Sequence, residues 1–110
     1  MPSLLFVLRQ RRTDLEVTEA LLEVMTLAAF DLKVALLLLD EMAGLAGATD
    51  QDPAGGLMEA LPLYGVDSIF VERESWLQQS VSASLRPEIR LIERSRLNSL
   101  WARYDRLVTS

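Results

Sequence analysis

The sequence predicts an α/β fold: a single three-layer domain with a mainly parallel five-stranded sheet and helices on both faces. Short apolar runs typical of strands buried on both sides alternate with amphipathic helical patterns. The chain has 110 residues, which is the size of one domain, so we expect a single domain over residues 1–110. Half of the residues are apolar and a quarter are charged, a composition typical of a globular protein.

The first strand is predicted at residues 3–8, an apolar run that a cluster of arginines at positions 9, 11 and 12 follows. We interpret that cluster as a solvated loop rather than a phosphate site. Thr13 and Glu16 then have the spacing of a capping box, which satisfies free amides where a helix begins. Apolar residues recur on one face of this helix, at Val17, Ala20, Leu21, Val24, Met25 and Ala28.

The run Lys33 to Leu39 suits a buried helix as well as a strand, because leucine is not β-branched and periodicity cannot decide between them. We interpret it as the second strand, since a strand, an amphipathic helix and a short buried run form the order of a βαβ unit. The acids Asp40 and Glu41 end this strand.

The second half of the chain continues the alternation. Glycine and proline predict a loop over residues 46–56, then a brief helix at 57–64 that Pro62 splits and Gly65 ends. Residues 68–71, 89–92 and 106–109 are the remaining predicted strands, and the polar stretch 72–84 has room for a turn or two of helix. Ser95 is predicted to cap a last helix with one apolar face, formed by Leu97, Leu100, Trp101 and Tyr104.

The composition excludes several kinds of chemistry. The chain has no cysteine and no histidine, so thiolate nucleophiles, disulfides, persulfide carriage and the usual general base are absent, and zinc lacks its usual ligands. The net charge of −5 disfavours direct nucleic-acid binding. The longest apolar run is far shorter than the roughly 20 residues that cross a bilayer. We therefore expect a cytoplasmic protein without membrane contact.

Candidate sites for chemistry are few. Asp40 and Glu41 form a carboxylate pair at a strand end, which suits magnesium, but we interpret them as a solvated strand end. The glycines after this strand lack the spacing of phosphate-binding loops. The segment 72–74, Glu-Arg-Glu, is either a salt-bridged edge in a subunit contact or a solvated turn, and we favour the turn. No catalytic residue, cofactor or metal site is predicted, and we do not expect an enzyme.

An interface with partner proteins is expected instead. Trp76 lies in a polar stretch, which favours an exposed or interfacial anchor, whereas Trp101 shares the apolar face of its helix and is expected in the core. Leu45, Leu57 and Met58 lie in or beside polar loop segments. We predict that these three residues and Trp76 form the partner interface.

Residues 63–75 and the closing stretch from Leu100 onward resemble the DsrE/DsrF-like family, most closely its TusC (DsrF) members. Residues 63–75, Leu-Tyr-Gly-Val-Asp-Ser-Ile-Phe-Val-Glu-Arg-Glu-Ser, are similar to the middle of these proteins, where a short helix ends before a central strand. Leu100, followed by Tyr104-Asp105 and a final strand, is similar to their C-terminal stretch. The sequence departs from the family where the capping box replaces a glycine of the first helix and where Pro62 interrupts the second.

The resemblance implies a DsrE/DsrF-like, flavodoxin-like fold and a non-catalytic, partner-binding subunit of a sulfur-relay complex. The implied partners are two homologous subunits, one TusB/DsrH-like and one TusD/DsrE-like, the latter carrying the persulfide on its cysteine. Such complexes serve either tRNA wobble-uridine 2-thiolation or sulfur oxidation. Two alternatives stay open: a stand-alone small-molecule or nucleotide-binding flavodoxin-like module, and an acid–base enzyme that uses Asp40, Glu41 or Glu72.

Overall fold

The computed structural model describes residues 3–10, 13–30, 32–47, 53–66, 68–79 and 84–109. Within them, five parallel strands form one sheet, and the predicted α/β class is confirmed. The strands are β1 (Ser3–Leu8), β2 (Lys33–Leu38), β3 (Ser68–Glu72), β4 (Ile89–Ile92) and β5 (Arg106–Thr109). The helices are α1 (Asp14–Ala29), α2 (Pro53–Ala60), α3 (Arg73–Gln79) and α4 (Leu97–Trp101), and 3-10 helices span Asp40–Gly47, Leu61–Tyr64 and Arg94–Arg96.

The leucine-rich run after α1 is a strand, as predicted. β2 lies at the centre of the sheet, between β1 and β3, with Leu36 paired to both Phe6 and Ile69. Both faces of this strand are covered, so every side chain from Val34 to Leu38 is buried. That position explains why the run is uniformly apolar and does not alternate.

The strand order β4-β3-β2-β1-β5 determines which face each connection covers. Parallel crossovers are nearly always right-handed, so connections that step across the sheet in one direction lie on one face. The first three step from β1 towards β4, and α1, α2 and α3 pack with Phe6, Leu36 and Val71 on what we call the first face. The last connection steps back to β5, and α4 packs with Leu5 and Leu37 on the second face.

The capping box at the start of α1 is confirmed. The Thr13 hydroxyl accepts a hydrogen bond from the Glu16 amide at 3.2 Å, and the Glu16 carboxylate accepts one from the Thr13 amide at 3.4 Å. The six residues of the predicted inner face are all buried, and they join the core of the first face. Local sequence and tertiary packing therefore specify the same helix.

The split of the second helical segment also follows the prediction. α2 ends at Ala60, and Pro62 lies in the short 3-10 helix that follows. Gly65 ends this turn with a φ of 96°, and its amide donates to the Pro62 carbonyl at 3.2 Å. Glycine has no Cβ, so it adopts this left-handed conformation without the strain that other residues meet.

Two boundaries differ from the prediction. The expected loop at 46–56 is largely replaced by the end of the 3-10 helix Asp40–Gly47 and by α2, which begins at Pro53; residues 48–52 lie outside the described part. Proline fits the first turn of a helix, where no amide donor is needed. Ser95 is not a helix cap. It lies within the 3-10 helix Arg94–Arg96, and the N-cap residue of α4 is Arg96, which makes no side-chain capping hydrogen bond.

No helix in the described ranges is both long and apolar enough to cross a membrane.

Candidate functional site

Charged side chains meet at the carboxyl edge of the sheet. Arg9 follows β1, Asp40 follows β2, Glu72 ends β3 and Arg94 follows shortly after β4. The strands are parallel, so these ends lie along one edge, where open α/β sheets usually present their functional groups. We call these four residues and Ser75, at the start of the next helix, the strand-end network.

Glu72 is the centre of this network and is only 1% exposed. One of its carboxylate oxygens accepts hydrogen bonds from the Ser75 hydroxyl at 2.8 Å and from the Arg94 guanidinium at 3.0 Å. The other oxygen accepts the amide of Glu74 at 2.6 Å. Burial raises the pKa of Glu72, but these hydrogen bonds and the Arg94 charge outweigh it, so the pKa lies below its ordinary value. The carboxylate is therefore held in its ionised form.

Ser75 extends the network to the end of β2. Its hydroxyl accepts a hydrogen bond from the Asp40 amide at 2.9 Å. Asp40 has a φ of 50°, a left-handed conformation that aspartate tolerates better than most residues, and its side chain pairs with Arg9 at 3.0 Å. The network thus fixes a turn of unusual backbone geometry where β2 ends.

These bonds limit what chemistry the edge can perform. A general base needs an available oxygen and a pKa raised towards neutrality, whereas the oxygens of Glu72 are occupied and its pKa is lowered. Asp40 is paired with Arg9, and Glu41 is exposed. Across the ranges that the structure describes, no three acidic side chains are grouped so as to hold a metal ion. The geometry at this edge is that of a structural clamp.

The interpretation of residues 72–74 as a solvated turn is wrong. Glu72 is buried, and Arg73 and Glu74 begin α3. Arg73 pairs with Glu93 at 3.0 Å, and Glu74 pairs with Arg94 at 3.2 Å. The alternating charges therefore link α3 to the residues after β4 within this chain.

The predicted partner interface is placed differently from the expectation. Trp76 is only 7% exposed and Met58 is fully buried, both in the core of the first face. Leu45 and Leu57 are half-buried and pack against the same core. α3 packs onto the 3-10 helix Asp40–Gly47, which turns the tryptophan inward despite its polar sequence neighbours. The expectation of an exposed Trp76 is therefore wrong, and Met58 likewise offers no surface to a partner in the isolated chain.

A cluster of exposed apolar side chains lies on another part of the surface, beside α1. Phe30, just after α1, is 74% exposed, and Leu22 and Tyr64 are also exposed. These three residues line an apolar groove of about 350 Å³ together with Met25, Thr26 and Ala29. We call this groove the α1 surface. Leu22 lies off the predicted inner face of α1, between Glu19 and Glu23, and this apolar residue on the polar side of the helix is the sequence signal for the groove.

Comparison with known proteins identifies the fold. No model of a protein family matches the sequence, and no curated protein is significantly similar to it. Among solved structures, the crystal structure of the ychN protein from E. coli superimposes with a TM-score of 0.81 at 17% identity, covering 100% of both chains. The chain therefore has the same α/β fold as the ychN protein.

Proposed function

We propose that this chain is a non-catalytic, partner-binding subunit of a sulfur-relay complex, of the TusC (DsrF) kind. Its partners in this proposal are a TusD/DsrE-like subunit, which carries the persulfide, and a TusB/DsrH-like subunit. The observation that carries the proposal is the α1 surface, an exposed apolar groove on a chain without cysteine. The DsrE/DsrF-like fold supports the choice of complex.

The exposed apolar residues of α1 have the spacing that is typical of a helix that packs against another helix. Leu15 is exposed and lies seven residues before Leu22, and Ala29 lies seven residues after it. Residues with this spacing form one stripe along a helix, so the exposed leucines extend the groove along α1. Monomeric proteins rarely leave such a surface uncovered. Glu19 is exposed on α1 between Leu15 and Leu22, and this acid favours a partner helix that carries basic residues beside its own apolar stripe.

The strand-end network supports a role without catalysis. Its buried carboxylate is committed to Ser75, Arg94 and a backbone amide, and the chain supplies no thiol to receive sulfur. In the proposed complex, sulfur transfer belongs to the partner's cysteine. This chain then contributes the rigid surface against which the partner is held, in either tRNA thiolation or sulfur oxidation.

Co-expression with the TusD/DsrE-like and TusB/DsrH-like subunits of the same organism tests the proposal. We expect a hetero-oligomer, measured by analytical ultracentrifugation. The double variant Leu22→Gln/Phe30→Gln should weaken assembly by at least about 10-fold, because it places amides where apolar anchors are buried. Both side chains are exposed in the isolated chain, so its thermal stability should change little.

The matched control is Leu77→Gln/Leu107→Gln, which changes two exposed apolar residues outside the α1 surface. Assembly of this control should equal that of the unmodified chain. Absence of any complex with the two subunits, or equal assembly of the two double variants, would overturn the proposal.

A further inference from the structure

A second groove lies on the second face of the sheet, between β4 and α4. Its volume is about 410 Å³, and its apolar residues include Phe70 of β3 and Leu100 of α4. Three arginines also line it: Arg90 from β4, Arg96 before α4, and Arg103 after that helix. The edge strand β4 and both ends of α4 thus place positively charged side chains around the apolar residues of the groove.

Within the described part of the chain, the guanidinium groups of these arginines have no side-chain partner. None of the three makes a hydrogen bond or an ion pair with any side chain in the described ranges, although other arginines of the chain do, such as Arg73 and Arg94. The acid that lines the groove, Glu93, is already paired with Arg73 at 3.0 Å. The groove therefore keeps an excess of positive charge in a chain whose net charge is −5.

The topology places this groove where α/β sheets bind ligands. The connection that leaves β3 covers the first face, and the one that leaves β4 covers the second. Where the connections that leave two adjacent strands cover opposite faces of a sheet, a crevice forms between them at the carboxyl ends of those strands. Ile92 and Glu93, at the end of β4, line the groove at that point.

Size and charge together indicate the class of ligand. A volume of about 410 Å³ falls within the roughly 300 to 1,000 Å³ of small-molecule sites. The guanidinium fork pairs with phosphate and carboxylate oxygens in bidentate geometry. A nucleic-acid polymer would extend past the groove over an acidic protein, whereas a small anion meets only the local positive field.

We propose that this groove binds a small organic anion of about mononucleotide size. Its phosphate or carboxylate group is held by Arg90, Arg96 and Arg103, and its flat apolar body lies on Phe70 and Ile92. This site is separate from the α1 surface, which lies on the first face, and it does not depend on the proposed partner complex.

Binding of AMP to the purified full chain, measured by isothermal titration calorimetry at low salt, tests this site. The variant Arg96→Gln/Arg103→Gln should lose at least about 10-fold in affinity, because charge-assisted hydrogen bonds to the phosphate are removed. The matched control Lys33→Gln/Arg106→Gln removes the same charge outside the groove and should stay within about twofold. Circular dichroism should show the same fold for both variants.

Adenosine and inorganic phosphate separate the two parts of the proposed ligand. AMP should bind more tightly than either, since only AMP fills both the charged rim and the apolar floor. No saturable AMP binding, equal losses in the two double variants, or inorganic phosphate binding as tightly as AMP would overturn the proposal. Tighter binding of a single-stranded RNA 12-mer or a glutamate-rich peptide would assign the arginines to a macromolecule and also overturn it.

Discussion

Ser75 accepts a hydrogen bond from the backbone amide of Asp40 at 2.9 Å, and this bond fastens the start of α3 to the end of β2. The same hydroxyl donates to Glu72 at 2.8 Å. Ser75 is only 2% exposed, so water cannot replace these bonds. One hydroxyl group thereby holds the turns after two neighbouring strands in a fixed arrangement.

Replacing Ser75 with alanine should destabilise the fold. The change leaves the Asp40 amide without its acceptor and removes one donor from Glu72, which should cost about 1 to 3 kcal/mol of unfolding free energy. Urea unfolding followed by circular dichroism measures this. Ser95→Ala is the control, because Ser95 is exposed and caps no helix; it should change stability by less than about 0.5 kcal/mol. Equal stabilities of the two variants would contradict the role given to Ser75.

The buried carboxylate should make stability depend on pH in the acid range. The pKa of Glu72 is lower in the folded chain, since burial raises it but hydrogen bonds from Ser75, Arg94 and the Glu74 amide lower it more. The unfolded chain then binds more protons, so this contribution is present above about pH 4.3 and is lost as the pH falls through the folded pKa.

Glu72→Gln removes that contribution. The variant should be less stable at pH 7 by about 1 to 3 kcal/mol and should lose less further stability on acidification. Urea unfolding at a series of pH values from neutral to strongly acidic gives both quantities. Glu19→Gln removes an exposed carboxylate from α1 and should follow the unmodified chain. A Glu72→Gln curve parallel to that of the unmodified chain at every pH would refute the assignment.

Trp76 is expected to matter for folding. The side chain packs in the core of the first face, so Trp76→Ala should cost about 3 to 5 kcal/mol, a large part of the stability of a domain this size. Leu77→Ala, at the exposed neighbouring position, should have little effect. Chemical unfolding of the isolated chain distinguishes the two. If Trp76→Ala unfolds like the unmodified chain, the tryptophan does not belong to the core.

The two glycines of the α2 region should respond oppositely to alanine. Gly65 has a φ of 96°, so Gly65→Ala should destabilise the chain by about 1 kcal/mol. Gly56 lies within α2 with open space where a Cβ would be, so Gly56→Ala should leave stability unchanged or raise it by up to about 1 kcal/mol. Differential scanning calorimetry gives both values. A destabilised Gly56→Ala variant would show that this part of α2 is packed differently.

Elements that local chemistry specifies were predictable from the sequence. The Thr13–Glu16 capping box marks the start of α1, and Pro62 and Gly65 mark the split and end of the next helical segment. The burial of Trp76 was not predictable, because it depends on which element packs against α3 and not on neighbouring residues. For the strand-end network, the sequence predicts only that polar residues lie at strand ends. Glu72 and Arg94 are 22 residues apart in the sequence, and their contact can be predicted only when the order of the strands in the sheet is known.

Three helices, α1 to α3, cover the first face of the sheet, whereas α4 covers the second. This difference has a consequence for folding during synthesis. β2 to β4 each lie beside the strand that precedes them in the chain, so the ribosome delivers every one of them next to a partner that is already made. β5 must instead insert beside β1, where Ser3 and Asp105, 102 residues apart, exchange hydrogen bonds. Until that late closure, Leu5 and Leu37 lack the helix that covers them. We therefore expect a nascent or truncated chain that ends after β4 to expose apolar side chains of the second face and to be prone to aggregation.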